Sequence, residues 1–115
     1  MMNRRREMRI RTHLKGQLIE NDQVVGQTTI SNLSKSGMRV ALENPLEQKA
    51  NKSYKVRFSL PTASGVLDID AQSAWAADND DHEIGLKFSN IEPSEKALIG
   101  DYVDRMLATA YGIRW

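Results

Sequence analysis

The chain has 115 residues, 40% apolar and 27% charged, which is one domain's worth of ordinary globular protein. It holds no cysteine, which excludes disulfides, thiolate metal sites and cysteine nucleophiles, and no apolar run reaches the roughly 20 residues of a spanning helix. The net charge of +1 hides an asymmetry. Residues 1–15 carry six basic residues against Glu7 alone (+5), and the rest carry ten basic and fourteen acidic (−4). The body is therefore not expected to hold nucleic acid or an anionic membrane by itself, whereas its first fifteen residues can meet an anion.

Period-two alternation begins at His13, where Leu14, Gly16 and Leu18 alternate with Lys15, Gln17 and Ile19 and predict a first strand. Glu20–Gln23 is a polar hairpin turn, and the β-branched set from Val24 to Ile30 predicts a second strand. Ser31–Gly37 interrupts the pattern with small polar residues. Met38, Val40 and Leu42 give a third strand, and Glu43–Lys52, with Pro45, reads as a loop. Tyr54, Val56, Phe58 and Leu60 make the cleanest alternation, followed by the turn Pro61–Gly65. Leu67, Ile69 and Ala71 give a fifth strand, Ala74–Ala77 is a short apolar stretch around Trp75, and Ile84, Leu86 and Phe88 give another strand after a polar turn at Asp78–His82.

The period changes after Pro93, which suits the first turn of a helix. Glu92 and Glu95 sit near the positive end of its dipole. Ile99, Val103, Met106 and Ala110, with Leu98, Tyr102 and Leu107 beside them, predict an amphipathic helix over about 94–109. The expected fold is mostly β: a small six- or seven-stranded antiparallel β-barrel with a C-terminal α-helix. The expected organisation is a flexible basic arm at residues 1–12 and a single barrel domain at 13–115.

No catalytic motif is present: there is no G-x-S-x-G, S-x-x-K, H-E-x-x-H or Walker loop, so no enzyme is expected. His13 and His82 are the only histidines. The cluster Asp78, Asp80, Asp81 and Glu83 fails as a calcium loop, because Glu83 and Ser89 stand where glycine and glutamate are needed. It reads as a solvated turn. Two other features stand out. Arg4-Arg5-Arg6-Glu7-Met8-Arg9 precedes the first strand, and guanidinium groups grip phosphate in a bidentate way and stack on bases. Alone, such a run reads as a solvated tail. Ser31-Asn32-Leu33-Ser34-Lys35-Ser36-Gly37 offers short polar side chains that can read a base edge or cap their own backbone. Gly37 permits a positive φ or the close approach of a ligand.

Together, Arg5-x-x-x-Arg9 and Asn32-x-Ser34-x-x-Gly37 resemble the paired motifs of the PilZ domain family, R-x-x-x-R and [D/N]-x-S-x-x-G. Ser73-Ala74-Trp75-Ala76, Ile84-Gly85-Leu86-Lys87-Phe88 and the closing helix extend the resemblance over about residues 4–110. It implies a receptor for the bacterial second messenger cyclic di-GMP. Arg5 and Arg9 would contact phosphate and guanine, Asn32 and Ser34 would read a guanine edge, and Gly37 would let the ligand lie close. Asn32 stands where aspartate is commoner, so that contact can differ. Arg4 implies two stacked, intercalated ligand molecules, with Arg6 able to join them. Trp75 has two readings, a stack on guanine or a core position.

The implied mode is a mobile arm that orders on the ligand and changes the surface shown to an unidentified protein partner, in a cytoplasmic, non-enzymatic bacterial protein with no further cofactor or metal. The N-terminus shows no apolar stretch of a secretory signal, and a stand-alone domain with no fused effector is expected. The alternatives are a ligand-independent PilZ-like adaptor and a small nucleic-acid-binding β-barrel. The net acidic body and only seven aromatics speak against the latter.

Overall fold

The computed structural model describes residues 8–43, 52–76 and 82–110; for Trp75, Ala76 and Ala110 only the backbone is described. Arg4, Arg5, Arg6, most of the loop expected at 43–52 and the turn residues 78–81 lie outside it. Six strands and one helix follow in order: β1 (Ile10–Glu20), β2 (Gln23–Leu33), β3 (Gly37–Leu42), β4 (Ser53–Phe58), β5 (Leu67–Ala76), β6 (Glu83–Asn90) and α1 (Pro93–Ala110). The strands close into an antiparallel barrel in the order β1-β2-β3-β6-β5-β4.

β1 begins at Ile10, three residues before the alternation predicts, because Ile10 pairs with Leu33 and Arg11 with Asn32. The inward positions there are Ile10 and the hydroxyl-bearing Thr12, which hide the alternation. Thr12 is tolerated inside because its hydroxyl donates to the Ile30 carbonyl. The β1–β2 hairpin turns at Asn21 and Asp22, with φ of 53° and 65°. A two-residue turn with both central residues left-handed matches the strand twist, and Asn and Asp accept that conformation at least cost. The apolar stretch at Ala74–Ala77 is not a seventh strand. β5 absorbs it through Ala76, with register shifts at Asp70/Ala71 and Ser73/Trp75 that bend the strand around the barrel.

β1 and β2 pair along nearly their full length, but β1 meets β4 only through Gly16–Ile19 opposite Phe58–Lys55. On the outer face of the β4–β5 ladder, the Arg57 guanidinium donates to both oxygens of Asp68 at 2.8 and 2.9 Å. That pairing pins the register and holds the Asp68 carboxyl below the usual range.

The barrel is filled by Leu18, Ile30, Leu33, Val40, Val56 and Ile69, all fully buried. Burying each such side chain contributes about 1.5–3 kcal/mol. Ile99, Tyr102 and Val103 of α1 join the same core, which is why the helix packs here. Met106 and Leu107 are only partly buried and Leu98 is exposed, so the apolar stripe is narrower than its sequence suggests. At the helix start the Glu95 carboxylate accepts the Glu92 backbone N–H at 3.2 Å, one half of a capping box. Gly100 lies mid-helix, and a Cβ there would meet nothing closer than the Lys35 side chain at 3.7 Å, an ordinary contact. Gly100→Ala is therefore expected to raise stability by up to about 1 kcal/mol, seen as a higher thermal midpoint. A lower midpoint would show that Lys35 cannot give way.

Candidate functional site

The short polar segment between β2 and β3 is a turn closed around one hydroxyl. The Ser34 backbone N–H donates to the Gly37 carbonyl at 2.9 Å. The Ser34 hydroxyl donates to the same carbonyl at 3.3 Å and accepts the N–H groups of Ser36 and Gly37 at 3.3 and 3.2 Å. Ser34 is 1% exposed. Its side chain is thus engaged within the hairpin and shapes the surface that Asn32 presents. Ser34→Ala is expected to lower stability by about 1–2 kcal/mol, because the buried Gly37 N–H loses this acceptor. An unchanged denaturation midpoint would contradict that.

Gly37 does not use a positive φ; the described glycine that does is Gly65. What Gly37 provides is closeness. A Cβ there would stand 2.4 Å from the Leu86 carbonyl oxygen. The neighbouring strand β6, rather than a ligand, fills that space, and the Phe88 N–H donates to the Ser36 carbonyl at 2.9 Å to hold it there.

The two motifs meet in space. The Arg9 guanidinium, one residue before β1, donates to the Asn32 side-chain oxygen at 3.3 Å across 23 residues of sequence. Asn32 is half-buried and Arg9 is exposed. Around them lie two adjoining depressions. The smaller, of about 290 Å³, is lined by Arg9, Ser36, Gly37, Leu86 and Lys87. The larger, of about 590 Å³, is lined by Arg11, Asn32, Arg39, Glu83 and Tyr102, with His13 at its side. The register explains the grouping: Arg11 pairs with Asn32, Asn32 with Arg39, and Arg39 with Gly85. Paired positions project to one face of a sheet, so the row continues across four strands.

Of the sequence-predicted residues, Arg9, Asn32, Ser34 and Gly37 are therefore brought together. Arg4, Arg5 and Arg6 lie outside the described residues. The Trp75 backbone stands opposite Gly85 at the far end of the row, and its side chain lies outside the described residues. The sequence reading places Arg11 in the basic arm, Arg39 on the third strand and Glu83 in a solvated acidic turn, and names none of them as a site residue. The available signal was the period of two, which puts Arg11 on the face of Arg9 and Arg39 on the face of Gly37.

The motif turn also reaches the helix: Lys35 Nζ lies 3.2 Å from Asp104 of α1. Among the described residues no group of His, Asp and Glu could hold a metal ion. No helix among them is long and apolar enough to cross a membrane.

Fold and site together define a closed six-stranded antiparallel barrel with a terminal helix, its outer wall carrying an arginine–asparagine contact where the chain enters β1. The chain belongs to the PilZ domain family, whose profile matches residues 3–105. No curated protein matches it. Among solved structures it is similar to the Bacillus subtilis inhibitor of motility MotI/DgrA (TM-score 0.79, 18% identity), covering 94% of this chain and 53% of that one. It is also similar to the PilZ domain of YcgR from Escherichia coli with c-di-GMP (0.74, 19%), covering 96% of each chain. The YcgR complex with c-di-GMP from the same organism matches at 0.67 and 20%, over 95% of this chain and 48% of that one. The chain thus spans about half the length of MotI/DgrA. At these identities the likeness is one of fold.

Proposed function

We propose that this protein is a non-enzymatic receptor for cyclic di-GMP, held between a basic arm and the outer wall of the barrel. The single observation that carries the reading is the Arg9–Asn32 hydrogen bond. It supports the reading because a guanidinium, a group suited to phosphate, stands beside an amide that can both donate to and accept from a guanine edge. The c-di-GMP complexes of YcgR, which share the fold, support the choice of ligand. Arg5 is assigned to phosphate and guanine with Arg9. Ser34 and Gly37 set the surface under the ligand, and Arg4 and Arg6 serve a second, stacked ligand molecule. Trp75 is a candidate stacking partner at the end of the same row. Ordering the arm costs conformational entropy, so affinity is lower than the contact count suggests.

The ordered arm then presents a changed surface to a protein partner in the cytoplasm. Lys35 supports this output, since it joins the motif turn to α1 through Asp104. Calorimetric titration of the full chain with cyclic di-GMP tests the reading. Saturable binding is expected, with a ratio of two ligands per chain if Arg4 acts as assigned. A titration without heat and without saturation overturns it.

A further inference from the structure

The larger depression holds more chemistry than the two motifs use. Its floor is Arg11, Asn32 and Arg39 in register on β1, β2 and β3. Its rim carries the Glu83 carboxylate of β6, and Tyr102 of α1 lines it from the core side. Glu83 pairs with Ala41, two residues along β3 from Arg39, so carboxylate and guanidinium project to the same face of neighbouring strands. At about 590 Å³ the depression lies within the ordinary size range of small-molecule sites.

We infer that this depression is a guanylyl half-site, in which Arg11 and Arg39 take a phosphate and Glu83 reads a guanine. The inference rests on the reading of the protein as a cyclic di-GMP receptor and extends its footprint from the arm onto three strands of the barrel. A phosphate wants guanidinium groups on a firm base, and Arg11 and Arg39 stand on strands to either side of Asn32. A carboxylate beside two cations would oppose an anion if phosphate were the whole ligand. It is accounted for when the ligand also brings donors. Guanine offers N1–H and N2–H₂ side by side, which a carboxylate accepts with both oxygens. Adenine offers an acceptor at N1 and cannot form that pair. Asn32 lies between the two halves: its side chain lines this depression and also receives Arg9, which lines the smaller one. One cyclic dinucleotide can therefore straddle Asn32, with one guanylyl unit on each side.

Titrations of the full chain with cyclic di-GMP and cyclic di-AMP test this, using wild type, Arg11→Gln, Arg39→Gln and Glu83→Gln, each checked by thermal melting. Arg11 is exposed, so its variant should fold normally even if Arg39→Gln, at a half-buried position, does not. Arg11→Gln is expected to weaken cyclic di-GMP about tenfold and to leave the preference for guanine unchanged. Glu83→Gln is expected to reduce the preference for cyclic di-GMP over cyclic di-AMP by about tenfold. A purely structural role would lower both affinities alike, and that result overturns the assignment of Glu83. Wild-type affinity for cyclic di-GMP in Arg11→Gln and Glu83→Gln overturns the half-site while leaving the receptor reading intact. Failure of the wild type to bind cyclic di-GMP overturns both.

Discussion

Arg9→Ala is expected to weaken cyclic di-GMP binding by about ten- to a hundredfold while leaving the melting temperature of the free protein almost unchanged. The magnitude follows from losing charge-assisted hydrogen bonds to a phosphate, worth about 1.5–3 kcal/mol. The indifference of the fold follows from position. Arg9 is exposed and precedes β1, and its hydrogen bond to Asn32, at 3.3 Å, is a surface contact. Asn32→Ala is expected to cost less, because the half-buried amide contributes one edge contact rather than a charge. If the two side chains act as one clamp, the double variant will lose less than the sum of the single losses, as contacting residues do. Calorimetry on the four proteins measures this, and an Arg9→Ala titration that overlays the wild type would remove Arg9 from the site.

The largest structural effect is expected at Gly37. An alanine Cβ would sit 2.4 Å from the Leu86 carbonyl oxygen, well inside contact distance; that oxygen is backbone, and the Cβ position is fixed by the backbone that carries it. No rotamer can relieve that overlap, so β3 and β6 must part. The pairs Gly37–Lys87 and Met38–Leu86 would be disturbed first, along with the bond from the Phe88 N–H to the Ser36 carbonyl. Overpacking of this kind costs about 1–3 kcal/mol, and the lost ladder bonds add to it. Gly37→Ala is therefore expected to lower the thermal midpoint by about 10 °C or more for a domain of this size. Its ligand affinity should fall as a consequence of the moved strand. A stable Gly37→Ala protein that has lost only its ligand would assign the glycine to ligand clearance instead.

The sequence made the barrel legible because its strands alternate cleanly, above all at Tyr54, Val56 and Phe58, which are all buried. The helix was legible from the change of period after Pro93. What hid was strand continuity. Ile10 to Thr12 hold a threonine at an inward position, so the first turn of pairing looked like part of the arm. At Ser73 and Trp75 a register shift breaks the alternation, and one bent strand looked like two. The site was legible as two motifs, since arginine and small polar residues carry a chemical signature. The division of labour inside the second motif was not. Whether a serine faces ligand or its own turn depends on which N–H groups the backbone leaves free, and Ser34 satisfies two of them. A glycine chosen for a neighbouring carbonyl reads the same as one chosen for a ligand until Leu86 is in place. The grouping of Arg11, Arg39 and Glu83 was hidden because it is a matter of cross-strand register.

The short contact between β1 and β4 has a mechanical consequence. Gly16–Ile19 against Lys55–Phe58 is the seam of the barrel, and the upper part of β1, from Ile10 to Leu14, is bonded to β2 but extends beyond that seam. Helix α1 packs against β1, and its Ile99, Tyr102 and Val103 belong to the core that β1 helps enclose. A pull on the N-terminal end of β1 is therefore borne by the β2 ladder and by the helix, and the seam is the place where the cylinder unzips first. Amide exchange should record that ordering, with the β1–β4 amides opening at lower free energy than those of β1–β2.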